Sequence, residues 1–280
     1  MSNLYGLIGQ SLTHSLSPVI HQAIFNIIDL PAHYHLFEVQ KEQLRTTLAG
    51  LRIQGAVGVN VTIPYKTEIM KYLDEVSPEA LAIGSVNTIT FAEHKTVGSN
   101  TDYYGFGMLL ARYGICTNHN KALVLGYGGA AKAVIRYLLD HGADSVTVAV
   151  RNLPDFKGST NPQEVGRITF VQYPDLHLQN NGDLVVNCTP CGMYPNIGEA
   201  PVETDVLSKY KYAVDLIYNP METIFLQKSK GLGLKTVNGL YMLVSQAVAA
   251  HEIWGLTKLN HRDIENIYSI VFDHLKKISP

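Results

Sequence analysis

The stretch Leu123-Val124-Leu125-Gly126-Tyr127-Gly128-Gly129-Ala130-Ala131 decides the fold. An apolar run that ends in G-x-G-x-x-A and continues with helical periodicity predicts a strand, a tight turn and a helix. Glycine at 126 permits the turn, glycine at 128 lets a pyrophosphate approach the backbone, and Ala131 lets helix and strand pack closely. The N-terminus of that helix adds unpaired N–H groups and the positive end of its dipole. A bare glycine turn is the plain alternative, but the strand before it and the helix after it favour dinucleotide binding. Gly126, Tyr127, Gly128, Gly129 and Ala130 are therefore candidate cofactor contacts.

Working outward, strands are expected at 121–125, 145–150, 168–171, 183–187, 212–216 and 235–237, with a helix at 129–139. The stretch 151–166 reads as a loop. Strand and helix in this repeated order predict a Rossmann-type, doubly wound sheet over 103–238. The first hundred residues alternate too. Strands are expected at 5–8, 33–39, 56–62, 86–91 and 96–99, with helices near 19–28 and 42–51 and another opening at Pro64 and running to about 76. Two final helices, 240–254 and 263–278, have no strand after them and are expected to pack back on the first unit. The fold class is α/β in two domains: 1–102 as a substrate-binding domain completed by 239–280, and 103–238 as the dinucleotide domain.

Composition sets the outer bounds. The chain has 280 residues, 22 basic and 24 acidic side chains and a formal net charge of −2. That balance argues against a nucleic-acid surface, which needs clustered positive charge. A hydrophobic content of 46% supports a packed core. No run of eighteen apolar residues suggests a membrane helix, and the start Met1-Ser2-Asn3-Leu4-Tyr5-Gly6 lacks the pattern of a signal peptide. Three cysteines do not make a disulfide scaffold. The expectation is a cytoplasmic protein, monomer or homodimer, acting on a small molecule.

Several residues carry chemistry. An acid is usual at the end of the second strand of an NAD site, about twenty residues beyond the glycines. Here that strand ends in Val150 and is followed by Arg151 and Asn152. Arginine can pair with a 2′-phosphate, so this favours NADP over NAD, with a solvated loop arginine as the plain alternative. Cys188-Thr189-Pro190-Cys191 is a C-x-x-C, but Gly192, Pro195 and Gly198 after it suit a loop better than a redox helix, and no metal site is expected. Ser17-Pro18 reads as an N-cap and first-turn pair, which leaves Ser15 unexplained. Lys66 falls in the first turn expected after Pro64, where the helix dipole disfavours a cation. Asp102 could cap the helix expected from Tyr103.

These motifs together resemble the shikimate dehydrogenase family over nearly the whole chain. They run Ser15-Leu16-Ser17-Pro18, Asn60 to Lys66 (N-V-T-x-P-x-K), Gly84 to Thr88 (G-x-V-N-T), Asn100-Thr101-Asp102, the glycine turn, Asp215 to Thr223 (D-x-x-Y-x-P-x-x-T) and Asn238 to Ala247. The resemblance implies Lys66 and Asp102 as the catalytic pair, and Ser15, Ser17, Thr62, Asn87, Tyr218 and Gln246 as shikimate contacts. It also implies the glycine turn, Arg151, Asn152, Leu216 and Gly239 as NADP contacts. The activity implied is reversible NADPH-dependent reduction of 3-dehydroshikimate to shikimate. Tyr127, Val150, Pro190 and Leu240 depart from the family pattern, all on the cofactor side. A quinate/shikimate dehydrogenase preferring NAD and a catalytically silent shikimate or nucleotide sensor are the alternatives.

Overall fold

The computed structural model describes residues 3–153 and 166–278. Two compact units emerge, Met1–Gly105 with Leu243–Ile278, and Phe106–Met242.

The first unit holds strands β1 (Asn3–Gly9), β2 (Ala32–Glu38), β3 (Ala56–Val61), β4 (Glu75–Val76), β5 (Thr88–Phe91) and β6 (Thr96–Ser99). They form one mixed sheet in the order β2-β1-β3-β5-β6-β4. β1 lies parallel to β2 and β3, whereas β5 runs antiparallel to both β3 and β6. Ile8, Val59, Val61 and Ile89 are fully or almost fully buried and pack with Leu44, Leu48 and Leu51 of the helix Leu44–Ile53. The opposite cluster gathers Tyr5, Phe25 and Trp254. The Trp254 indole N–H donates to the Ile89 carbonyl at 3.0 Å. A side chain at Gly58 would collide with the Trp254 ring, so a glycine is required where the C-terminal segment crosses the sheet.

The helix expected from Pro64 to about 76 does not form. A turn follows β3, then a 3₁₀ segment at Glu68–Tyr72 and the short strand β4. The reason lies in Asp74, whose carboxylate accepts from the backbone N–H (2.7 Å) and hydroxyl (2.9 Å) of Thr96 and so ties this stretch to the sheet edge. A further helix, Pro78–Ile83, fills the connection to β5. Ser77 caps it by accepting from Ala80 N–H at 3.2 Å, and Gly84 closes it with φ 71°.

The second unit holds β7 (Lys121–Leu125), β8 (Ser145–Val150), β9 (Ile168–Gln172), β10 (Leu184–Asn187), β11 (Tyr212–Asp215) and β12 (Lys235–Val237). All neighbours pair parallel, in the order β12-β11-β10-β7-β8-β9. Their near-continuous apolar runs match strands covered on both faces. The order reverses between β7 and β10, and in such sheets ligands bind at the carboxyl ends beside that point. The helix Gly129–Asp140 follows β7 there. Of the expected loop 151–166, residues 154–165 lie outside the described residues. Among the described residues no helix is long and apolar enough to cross a membrane.

Candidate functional site

In the first unit a lysine and an aspartate from distant parts of the chain meet. The Lys66 ammonium donates to Asp102 Oδ2 at 2.6 Å, with side-chain exposures of 13% and 6%. Lys66 sits in the turn after β3, and its carbonyl is held by Val86 N–H at 2.7 Å. No α-helix starts at Lys66, so the conflict with a helix dipole does not arise. Asp102 is the first residue of the helix Asp102–Arg112. Its carboxylate is not spent on a cap, because Asn100 Oδ1 accepts from Tyr103 N–H at 3.3 Å instead. A charge pair this buried is held only if its remaining lone pairs are satisfied. Asn87 does this: its Nδ2 donates to Asp102 Oδ1 at 2.9 Å and to Thr101 Oγ1 at 3.0 Å.

Asn87 is itself fixed from both ends. Its Oδ1 accepts from Thr101 N–H (2.7 Å) and from the Thr88 hydroxyl (3.0 Å). Gln246 approaches from the helix Leu240–Ile253, with its Oε1 3.4 Å from Asn87 Nδ2 and 3.3 Å from Thr101 Oγ1. Thr62 follows β3, its N–H donating to the Ile8 carbonyl at 2.9 Å.

Ser15 and Ser17 precede and open the helix Ser17–Ile27. The cap there is reversed from the sequence expectation: Ser15 Oγ accepts from Ser17 N–H at 3.2 Å, and the Ser17 hydroxyl caps nothing. That explains Ser15 and releases Ser17. Tyr218 stands apart from these residues in the chain, in the second unit after β11.

The glycine turn is built as the motif predicts. Gly126 has φ 93° and its N–H donates to the Ala149 carbonyl at 2.9 Å. Gly128 has φ −80°, which any residue adopts, and a Cβ there would meet nothing within 4 Å. Neither backbone nor packing therefore requires glycine at 128, and the space beside it is open. The helix it caps has no acidic residue in its first turn and no side-chain cap, leaving its N–H groups for an anion. These features fit a dinucleotide phosphate. Tyr127 is 37% exposed and meets Phe170 edge to face at 5.0 Å, while Lys132 Nζ lies 5.6 Å from its ring. Burial lowers the pKa of Lys132.

Arg151 and Asn152 follow β8 and are exposed; the Arg151 carbonyl is held by Gln172 Nε2 at 3.0 Å. Leu216 and Gly239 come together: a Cβ on Gly239 would overlap the Leu216 carbonyl, and Gly239 N–H donates to Ile217 O at 3.0 Å. Asp215, fully buried, fixes this end of β11. It accepts from the Thr223 hydroxyl (2.6 Å), Asn187 Nδ2 (3.0 Å) and Ile217 N–H (3.1 Å). Burial nevertheless pushes its pKa up to about 7. The C-x-x-C segment opens no helix: Asn187 Oδ1 accepts from both the N–H and hydroxyl of Thr189 and sets a turn, and burial raises the pKa of Cys191.

Other residues around the first-unit site had no role in the sequence reading. Thr101 and Thr88 brace Asn87, and two further polar pairs lie in this unit, Tyr34–Asn60 at 2.8 Å and His21–His251 at 2.7 Å. The available signals were Asn60 inside N-V-T-x-P-x-K and a histidine four residues after Ser17.

A parallel sheet of this order with a glycine turn at its reversal, in one chain with a second α/β unit carrying a buried Lys–Asp pair, defines a two-domain dinucleotide-dependent oxidoreductase. The chain is 44% identical over 272 residues to the shikimate dehydrogenase (NADP(+)) of Clostridium beijerinckii, spanning 97% of this chain and 99% of that one. It belongs to the shikimate dehydrogenase family. Residues 7–89 match the family of shikimate dehydrogenase substrate binding domains. Among solved structures, a chorismate mutase/shikimate 5-dehydrogenase fusion protein from Clostridium acetobutylicum superposes with a TM-score of 0.91 at 43% identity, covering 99% of each chain. Shikimate 5-dehydrogenase from Thermus thermophilus, in complex with NADP(H) and shikimate, gives 0.81 at 31% identity, covering 96% of this chain and 99% of that one.

Proposed function

We propose that Lys66 and Asp102 are the proton-transfer pair of this enzyme, which reduces 3-dehydroshikimate reversibly to shikimate with NADPH. The observation that carries the assignment is the 2.6 Å Lys66–Asp102 contact, buried and braced by Asn87. NADPH, when bound, supplies the hydride. In the reduction negative charge develops on the ring carbonyl oxygen, and Lys66 Nζ donates the proton that neutralises it; in the oxidation it removes that proton. Asp102 holds the ammonium in place and offers its carboxylate to a neighbouring ring hydroxyl. Ser15, Ser17, Thr62, Asn87, Gln246 and Tyr218 are the residues assigned to a ligand made mostly of hydroxyl and carboxylate groups. Polar sites of this kind reject analogues lacking those groups. The NADP contacts are Gly126, Tyr127, Gly128, Gly129, Ala130, Arg151, Asn152, Leu216 and Gly239. The same reading has 1–102 with 239–280 as substrate domain and 103–238 as cofactor domain. It takes the chain as a cytoplasmic monomer or homodimer with no nucleic-acid partner.

The test is a spectrophotometric assay of shikimate oxidation with NADP. Lys66→Ala should abolish most turnover while NADP still binds; a folded variant with near-wild-type turnover overturns the assignment.

A further inference from the structure

His21 and His251 are both 1% exposed, and His21 Nδ1 lies 2.7 Å from His251 Nε2. One of two nitrogens so close must donate and the other accept. The surroundings fix which. Asn60 Nδ2 is committed to Thr88 Oγ1 at 3.1 Å and to the Asn87 carbonyl at 3.3 Å, so Asn60 Oδ1 faces the other way. There it accepts from the Tyr34 hydroxyl at 2.8 Å, and the Asn60 side chain favours a proton on the neighbouring His21 ring. An amide oxygen only accepts, so His21 carries its proton on Nε2 and presents a bare Nδ1. His251 must then donate through Nε2, leaving its own Nδ1 as a lone pair. His251 Nδ1 is indeed buried without a partner. A bare nitrogen there costs less than a buried N–H with nothing to accept it, or an imidazolium.

The chain of bonds ends at the site. The Tyr34 hydroxyl gives its proton to Asn60 at 2.8 Å, and the Ser17 side chain opposes the rise that burial gives the phenol's pKa, as a donor beside its oxygen does. The Tyr34 ring is stacked on His21 at 3.9 Å between centroids and 10° between planes. Ser17, free of any capping duty, lies one turn before His21 on the helix Ser17–Ile27, and His21 is the ring stacked on this phenol.

We propose that Tyr34 is a positioning residue of the substrate site, holding the Ser17 hydroxyl in one orientation, and that it is itself oriented by Asn60 and a neutral His21–His251 pair of fixed tautomer. The proposal rests on the reading that Ser17 meets the substrate. It assigns work to four residues outside the substrate contacts proposed above.

The experiment is a double-mutant cycle on the full chain with Tyr34→Phe, Ser17→Ala and both together, read as steady-state shikimate oxidation with NADP. Phenylalanine keeps the stack on His21, so melting temperature serves as the folding control. Removing one neutral hydrogen bond should raise the KM for shikimate about fivefold. kcat should stay within about twofold and the KM for NADP should not change. Ser17→Ala should raise KM by clearly less in the Tyr34→Phe background than in wild type, because the orientation is already lost. Strictly additive effects overturn the proposal, as does a Tyr34→Phe loss confined to kcat. Histidine side-chain ¹H–¹⁵N spectra at neutral pH supply a readout independent of activity. Two neutral rings, each protonated on Nε2, are expected; a proton on either Nδ1 overturns the network. Wild-type protein inert toward shikimate would instead overturn the functional reading, and the spectra would then decide the network alone.

Discussion

In the first unit the chemistry-bearing groups are side chains held by other side chains. Lys66 is held by Asp102, Asp102 by Asn87, and Asn87 by the hydroxyls of Thr101 and Thr88, all at 2.6–3.0 Å. In the second unit the corresponding surface is backbone: a glycine turn, the open end of a helix and the close approach of Gly239 to Leu216. The difference follows from the ligands proposed for each. A small polyhydroxylated acid is recognised by directed donors and acceptors, and a reacting oxygen needs a proton donor fixed to within a fraction of an ångström. A pyrophosphate asks for N–H groups and room. Mutations should accordingly behave differently in the two places: on the substrate side they should strike turnover, on the cofactor side affinity.

Lys66→Ala tests this most severely. General acid–base catalysis contributes on the order of 10²–10⁴-fold, and kcat for shikimate oxidation should fall by that much with NADP affinity unchanged. An equal loss in NADP affinity would break the contrast, since it would show that the pair also organises the cofactor side. Arg151→Ala should do the reverse. A charge-assisted contact to a 2′-phosphate is worth roughly 1.5–3 kcal/mol, so NADP affinity should drop about ten- to a hundredfold while NAD is untouched. Titrations with both cofactors decide it, and equal losses would reduce Arg151 to shaping its loop.

Gly128→Ala sharpens the cofactor half. Because a Cβ there meets nothing within 4 Å and φ is −80°, the melting temperature should hold or rise slightly. NADP affinity should nonetheless fall, on the order of tenfold, as the methyl enters space meant for phosphate. Unchanged affinity would mean that the phosphates lie elsewhere.

The same asymmetry governs what could be read from sequence. The second unit was legible almost strand by strand, because parallel strands buried on both faces are continuous apolar runs and the glycine turn has a local signature. The first unit was legible where its pattern is local, as in Asp102 and Lys66 within their motifs, and illegible where distant contacts set the structure. The helix expected from Pro64 was lost because Asp74 binds Thr96, twenty-two residues away. The helix Pro78–Ile83 had its signals in plain view in Ser77-Pro78 and Gly84, yet its six residues are too few to show periodicity. His21 reads as an ordinary helix residue, and its partner is 230 positions further on. No window of local sequence could pair them.

The finest expected difference lies in stability against pH, where the two units pull in opposite directions. Burial holds His251 down at about 3, and burial together with the neighbouring His251 holds His21 well below 6.5. Below 6.5 the unfolded chain takes up protons that these folded rings refuse, so the pair costs stability as pH falls from 6.5 toward 3. Asp215 has the opposite sign. Its folded pKa of about 7 lies above the ordinary 3.8, so its contribution is full below 3.8 and is lost as pH rises toward 7. Going from pH 7 to 5.5, the two histidines remove stability and Asp215 returns part of it. Denaturant melts of wild type at the two pH values set the reference. Relative to wild type, the loss on acidification should be larger in Asp215→Asn and smaller in His251→Phe, each by on the order of 1 kcal/mol, with all other titrating groups common to the three. Parallel behaviour in the three proteins would show that neither buried group titrates out of step with the unfolded chain. A steeper acid loss in His251→Phe would reverse the sign assigned to the histidine pair.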